Sequence, residues 1–157
     1  MKKYLIVFLI SMVPLIELRG AIPYAVGFGL PILPSLGVAL LGNIVPVPFI
    51  FLFARRILEW GKDKKYIGGF FTWCLEKGEK GGRKLEAKAG VGLYIALMLF
   101  VGIPLPGTGA WTGTLAASIL DMDFKKSMIY IVLGLLLAAT IMLLVSLGVF
   151  GAIELAK

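Results

Sequence analysis

Histidine is missing from this chain, and cysteine occurs once, at Cys74. The first absence removes imidazole acid–base chemistry, His-ligated zinc and the usual switch near neutral pH. The second leaves no disulfide framework and no cysteine-based metal site. A paired-aspartate motif and a Gly-x-Ser-x-Gly nucleophile turn are also absent, so no enzyme, no metal and no cofactor is expected. Charge is scarce as well, at 16% of residues against about 25% in soluble domains.

Apolar sequence fills that space. Of 157 residues, 59% are hydrophobic, and the mean hydropathy is +0.96, where soluble domains carry roughly 45–50% apolar residues. A chain this short cannot hide the excess inside a water-soluble body, so a multi-pass protein of the cell membrane is expected, all α-helical and forming a single membrane domain. The net charge of +7 is concentrated beside apolar segments. That pattern fits the positive-inside rule, and no nucleic-acid partner is expected. Met1-Lys2-Lys3 and the apolar run after it imitate a signal peptide. Glu17, Arg19 and Pro23 stand where a small-residue cleavage site belongs, so the segment is expected to be retained.

The organising stretch is Pro14-Leu-Ile-Glu17-Leu-Arg19-Gly20-Ala-Ile-Pro23, set between apolar runs at 4–13 and 24–33. An acid and a base at membrane depth cost roughly 2.5–3.5 kcal/mol each on insertion, so such residues face a partner or a wet cavity. Proline and glycine stop a continuous helix at the same place, and irregular backbone survives there only where protein or water satisfies it. Residues 4–16 and 24–33 are each too short to cross about 30 Å of hydrocarbon, so the expected form is a re-entrant hairpin with a charged tip. One long broken helix that crosses is the competing form.

Residues 35–54 are long enough to span, with Ser35 as a candidate N-cap and Arg55-Arg56 at the far boundary. Pro46 and Pro48 imply a kink, Gly37 and Gly42 allow close helix approach, and Asn43 is expected to make an interhelical hydrogen bond. Residues 55–90 hold ten Lys/Arg against five acids, with Trp60, Tyr66 and Trp73 among apolar residues at helical spacing. That composition suits amphipathic interfacial helices on the cytoplasmic side, serving mainly as an anchor and topology determinant.

The pattern then repeats. A short apolar limb at 92–103 leads into Gly102–Gly113, which has two prolines and four glycines in twelve positions and is not expected to be regular helix. A limb at 114–120 follows, then Asp121 and Asp123, expected to cap the last helix, and a full span at 127–150. Repeat one (1–54) and repeat two (91–157) thus share a plan, a short limb, a broken tip, a short limb and a full span, on either side of the 55–90 segment. A shift of 89 places Gly20-Ala21 on Gly109-Ala110 and Arg19 on Thr108. Paired interrupted segments are the best sequence pointer to a transporter's binding site. With both tips re-entrant, each half has one crossing and the repeats are inverted. Twelve of the sixteen bases fall on the cytoplasmic side whether the tips re-enter or cross. Lys125-Lys126, immediately against the last span, favours re-entry.

Glu17-Leu-Arg19-Gly20-Ala-Ile-Pro23 and Pro104-Leu-Pro106-Gly107-Thr108-Gly109-Ala-Trp111-Thr112-Gly113 resemble the two signature segments of the small multi-drug export protein family. The resemblance covers nearly the whole chain. More remotely, the plan is similar to the DedA/VTT superfamily, whose members carry two opposed re-entrant loops and move lipids across membranes. The resemblance implies a transporter or lipid translocase whose tips meet at midplane. Its expected substrate is amphipathic or phosphate-bearing and lipid-like, bound by Glu17, Arg19, Gly20, Pro23, Pro104, Pro106, Gly107, Thr108, Gly109, Trp111 and Thr112. In that reading Arg19 and free N–H groups at Gly20–Ala21 and Gly109–Ala110 hold an anion, and Glu17 carries a proton or pairs with a cation. The alternatives are a small-molecule (multidrug) exporter and a non-transporting scaffold that contacts membrane lipids through the basic segment. Two full crossings shield little interior from lipid, so a homodimer is expected.

Overall fold

Proline and glycine set most of the helix boundaries. In the computed structural model, which describes residues 2–14, 16–63, 68–69, 72 and 91–155, α1 (Lys2–Met12) stops just before Pro14, and α2 (Glu17–Gly27) ends ahead of Gly29, which sits at φ +64°. Pro31 precedes α3 (Ile32–Ile44), and Pro46 opens α4 (Pro46–Gly61), its missing N–H interrupting the hydrogen-bond ladder at that point. α5 (Val91–Gly102) gives way before Pro104 and Pro106, α6 (Ala110–Ile119) starts after Gly109, and α7 (Phe124–Leu155) closes the chain. Every element among the described residues is helical. The expected interfacial segment contributes α4's end at 55–61; most of 64–90 lies outside the described residues.

Val45 joins α3 to α4 at φ −53° and ψ −48°, so the chain keeps a helical path through the junction. Among the described residues, Ile32–Ala54 and Phe124–Ile153 are the two stretches long and apolar enough to cross a membrane. At 1.5 Å per residue they are about 34 and 45 Å long. The four remaining helices around the tips, α1, α2, α5 and α6, have 10 to 12 residues each, about 15–18 Å.

Those short helices fold back in pairs. Lys3, at the start of α1, stands over the ring of Phe28, just past the end of α2, at 5.5 Å. In the second pair the Tyr94 hydroxyl, near the start of α5, accepts the Asp123 N–H beyond α6 at 3.3 Å, and Lys126 stands 5.9 Å from the Tyr94 ring. α1 lies on α3, with the Ser11 hydroxyl donating to the Ala39 carbonyl, and α5 lies on α7. The inner limbs cross over: α2 packs on α7 and α6 on α4, where the Ser118 hydroxyl donates to the Phe51 carbonyl at 2.6 Å. Val7, Leu18, Val47, Val101, Ile131 and Leu135 form the buried centre.

Helix approach is closest where glycine faces a neighbour. A methyl at Gly134 of α7 would lie 2.6 Å from the Met98 carbonyl oxygen and 2.8 Å from Val101 Cβ on α5. Gly134→Ala is therefore expected to push α5 away and cost about 1–3 kcal/mol, the usual range for an overfilled core. Gly37→Ala, where nothing lies within 4 Å, is the matched control. Thermal unfolding of both variants in detergent checks the contrast.

Several sequence expectations change here. Ser35 is not the N-cap of the first span: α3 already begins at Ile32, and the Ser35 hydroxyl donates back to the Pro31 carbonyl at 2.7 Å. Proline at 31 fixes an extended residue and starts the helix earlier than the serine would. Asn43 makes no interhelical hydrogen bond: it is 0% exposed, and both polar atoms of its carboxamide lack a partner among the described residues. Glu17–Pro23 is helix rather than a break: Gly20 and Pro23 lie inside α2, so the first interruption falls ahead of Glu17. Ala110–Gly113 belong to α6, so the second narrows to 103–109. Asp123 does cap the last helix, its Oδ1 accepting the Lys126 N–H at 2.9 Å.

Candidate functional site

The two tips meet, and the charges of the first are spent on the second. Ile16 is right-handed helical, and Glu17 then takes φ +52°, a left-handed conformation that costs a non-glycine residue about 1–3 kcal/mol. That turn sends the carboxylate across to α6. Glu17 Oε2 accepts the Ala110 N–H at 3.2 Å and Oε1 accepts the Trp111 N–H at 3.0 Å. An anion therefore sits on the positive end of a helix dipole, where it also satisfies two otherwise unpaired donors. Gly109, at φ +138°, makes the approach possible, since a methyl there would lie 2.8 Å from Glu17 Cδ.

Arg19 does the converse at the end of α5. Its Nη1 donates to the Leu105 carbonyl at 2.7 Å, and its Nη2 to the Ile103 carbonyl at 3.1 Å, the Val101 carbonyl at 3.5 Å and Thr108 Oγ1 at 2.8 Å. The Thr108 hydroxyl lies 2.9 Å from the Ile103 carbonyl and 2.8 Å from that of Leu105 and donates within the same turn. A cation thus gathers carbonyls at a broken helix end, at the negative end of the dipole. Those of Ile103 and Leu105 otherwise hold only tight-turn bonds from the Leu105 and Thr108 N–H groups and the Thr108 hydroxyl. Glu17 and Arg19 hold the two sides of one gap in the second hairpin, each with the sign that gap needs.

This geometry corrects the expected anion site. Helix α2 begins at Glu17, so Gly20–Ala21 lie inside it, and the Gly20 N–H donates to the Ile16 carbonyl at 3.1 Å. The Ala110 N–H is already taken by Glu17. The chain supplies its own anion to α6, and the Arg19 fork is turned onto main-chain oxygens. A phosphate finds the Gly20 and Ala110 amides and both terminal nitrogens of Arg19 already bonded; Arg19 Nε, which is buried, has no partner among the described residues.

Beside the clamp lies a cavity of about 590 Å³ between α4, α6 and the first tip. Four of the sequence-derived residues line it: Glu17, Thr108, Trp111 and Thr112. Arg19 points into the 103–108 loop, Gly109 is buried under the carboxylate, and Gly20 and Pro23 sit half-buried on α2. Pro104 is half-buried, and Pro106 and Gly107 are exposed on that loop. The rest of the wall is Pro14, Phe49, Ile50, Phe53, Ala54, Ile57 and Leu115. The α4 group was missed because that helix read as a plain membrane span. Its signal was present in the sequence as Phe49, Phe53 and Ile57 at four-residue intervals, one face of a helix. Trp111 contributes an indole N–H that is buried without an acceptor among the described residues. The cavity falls in the size range of small-molecule sites, about 300–1,000 Å³.

Residues 17–141 match the model of the family described as "Putative small multi-drug export protein". Neither the curated proteins nor the solved structures give a significant match.

Proposed function

The chain belongs to that family, and from this premise we propose that it is a membrane carrier exporting small, largely apolar molecules through the cavity at the tip junction. The observation that carries the reading is the cavity itself. It is large enough for a drug-sized ligand and walled by aromatic and aliphatic side chains, and its few polar groups come from the two tips. Binding there is by burial and orientation, so the protein performs no covalent chemistry.

In this reading the fold is a pair of inverted repeats in the plasma membrane. Two features support it. Limbs of about 15–18 Å reach only half of a hydrocarbon layer about 30 Å thick. The hairpins also open toward opposite ends of the long helices. The first, marked by Lys3 and Phe28, lies near the end of α7, where Gly27 meets Phe150. The second, marked by Tyr94 and Asp123, lies near the start of α7, where the Phe51 and Phe124 rings are 5.2 Å apart. Tips entering from opposite faces and touching at the midplane give one site with two gates, the arrangement alternating access requires. A second copy covering the exposed α3 stripe at Leu33, Gly37 and Leu41 would complete the lipid-facing side.

A DedA-like lipid translocase is the weaker reading, because its phosphate anchor would have to displace Glu17 from α6 or Arg19 from the 103–108 carbonyls. The carrier reading is tested by efflux of an apolar fluorescent dye from proteoliposomes. Ala54→Phe puts a ring into the cavity without touching the clamp, and is expected to lower the rate at least about tenfold, the effect of roughly 1.4 kcal/mol, with unchanged thermal stability. Wild-type efflux no faster than in empty liposomes, or an Ala54→Phe rate equal to wild type, rejects it.

A further inference from the structure

We propose that the cavity selects organic cations with an apolar body over neutral molecules and anions. The inference rests on the carrier reading for its physiological meaning, though the binding preference can be measured separately. Among the described residues lining the cavity, Glu17 alone is ionisable. It is 3% exposed; its neighbour Arg19 attracts it through space but gives its hydrogen bonds to Thr108 and to carbonyls of the 101–108 segment, none to the carboxylate. A carboxylate offers about four lone-pair positions, and two N–H groups of α6 occupy two of them. A helix N-terminus supplies only about half a positive charge. The remaining negative charge is desolvated against apolar walls, a costly condition that a monovalent cation in the cavity relieves.

The walls specify the rest of the ligand. Phe49, Phe53 and Trp111 present aromatic rings, whose faces attract cations. Phe49 and Phe53 are 64% and 47% exposed on a candidate span, so the mouth of the cavity faces where hydrocarbon would lie. A small hydrated ion gains nothing from these walls, whereas an apolar cation gains from both terms. An anion of the same size and shape meets the same walls but is repelled by Glu17.

The test uses two probes that differ in little but charge, tetraphenylphosphonium and tetraphenylborate, with the full chain in detergent micelles and equilibrium dialysis against empty micelles. The phosphonium is expected to bind at least about tenfold more tightly than the borate. Glu17→Gln keeps an acceptor for α6 and is expected to bring the ratio to near one. Ile57→Lys, at an exposed position on the cavity rim, leaves the clamp untouched and is expected to weaken the phosphonium and strengthen the borate. Equal binding of the two probes by wild type, or an unchanged ratio in Ile57→Lys, overturns the proposal. Dye efflux with no cation preference would refute charge selection and leave the carrier standing. Selective binding without any efflux would do the reverse.

Discussion

Gly109→Ala is expected to break the junction between the two tips. At φ +138° the backbone lies in a region that only glycine occupies readily, and an alanine there costs about 1–3 kcal/mol. The new methyl would also meet the Glu17 carboxylate at Cδ and at both oxygens, so the acid must leave α6. Losing two hydrogen bonds to a charged acceptor adds about 1.5–3 kcal/mol each. The sum is about 4 kcal/mol or more, large against the 5–15 kcal/mol that holds a typical domain. Gly107→Ala provides the comparison: Gly107 is at φ +79°, but nothing lies within 4 Å of a methyl there, so only backbone strain of about 1–2 kcal/mol applies. Thermal or SDS unfolding in detergent should separate the two variants clearly. Equal losses would mean that the Glu17–α6 contact contributes nothing.

Arg19→Ala is expected to cost at least about 1.5–3 kcal/mol, the range for a hydrogen bond to a charged group, since the part-buried guanidinium donates to carbonyls rather than to a buried counter-ion. The carbonyls of Ile103 and Leu105 would lose the fork that gathers them and keep the tight-turn bonds from the Leu105 and Thr108 N–H groups and the Thr108 hydroxyl. Arg19→Lys keeps the charge but not the planar pair of donors, and should recover less than half of the loss. Thr108→Val, made alone and together with Arg19→Ala, closes a double-mutant cycle. Because Thr108 accepts from Arg19 and donates to the same carbonyls, the coupling should reach about 1 kcal/mol or more. Strict additivity would show that the threonine is a bystander.

Much of this arrangement is legible in the chain. Pro14, Gly29, Pro31, Pro46, Pro104 and Gly109 sit at or beside helix ends because each removes a donor or permits a backbone angle that other residues resist. The two long stretches at 32–54 and 124–153 follow from apolar length. Glu17 and Arg19 stand out because charge is expensive in apolar sequence, and they do lie at the junction. Their roles were less legible. Sequence spacing pairs Arg19 with Thr108 in a formal repeat, and the two are in fact bonded at 2.8 Å. A repeat shift, however, says only that positions are equivalent, not that they touch. The α4 wall of the cavity was hidden for a related reason: a helix face turned toward a cavity and one turned toward lipid are both apolar.

By itself, the sequence determined the all-helical membrane class, the break at 103–109 and the one charged tip; the first break it placed at Glu17–Pro23 lies ahead of Glu17, because Gly20 and Pro23 are inside α2. Each of these follows from local chemistry: hydrocarbon tolerates neither open backbone nor unpartnered charge, and proline and glycine act where they stand. Only the tertiary structure decided what those charges do. Glu17 and Arg19 lie two residues apart, yet they serve the two ends of a gap some ninety positions later in the chain. Hydrogen bonds reach about 3 Å and helix dipoles act within a turn, so the partner of each charge is fixed by which tips the packing of α2 on α7 and α6 on α4 brings together. That packing is a property of the folded chain as a whole. It turned an expected phosphate site into an internal clamp and left an apolar cavity with one acid beside it.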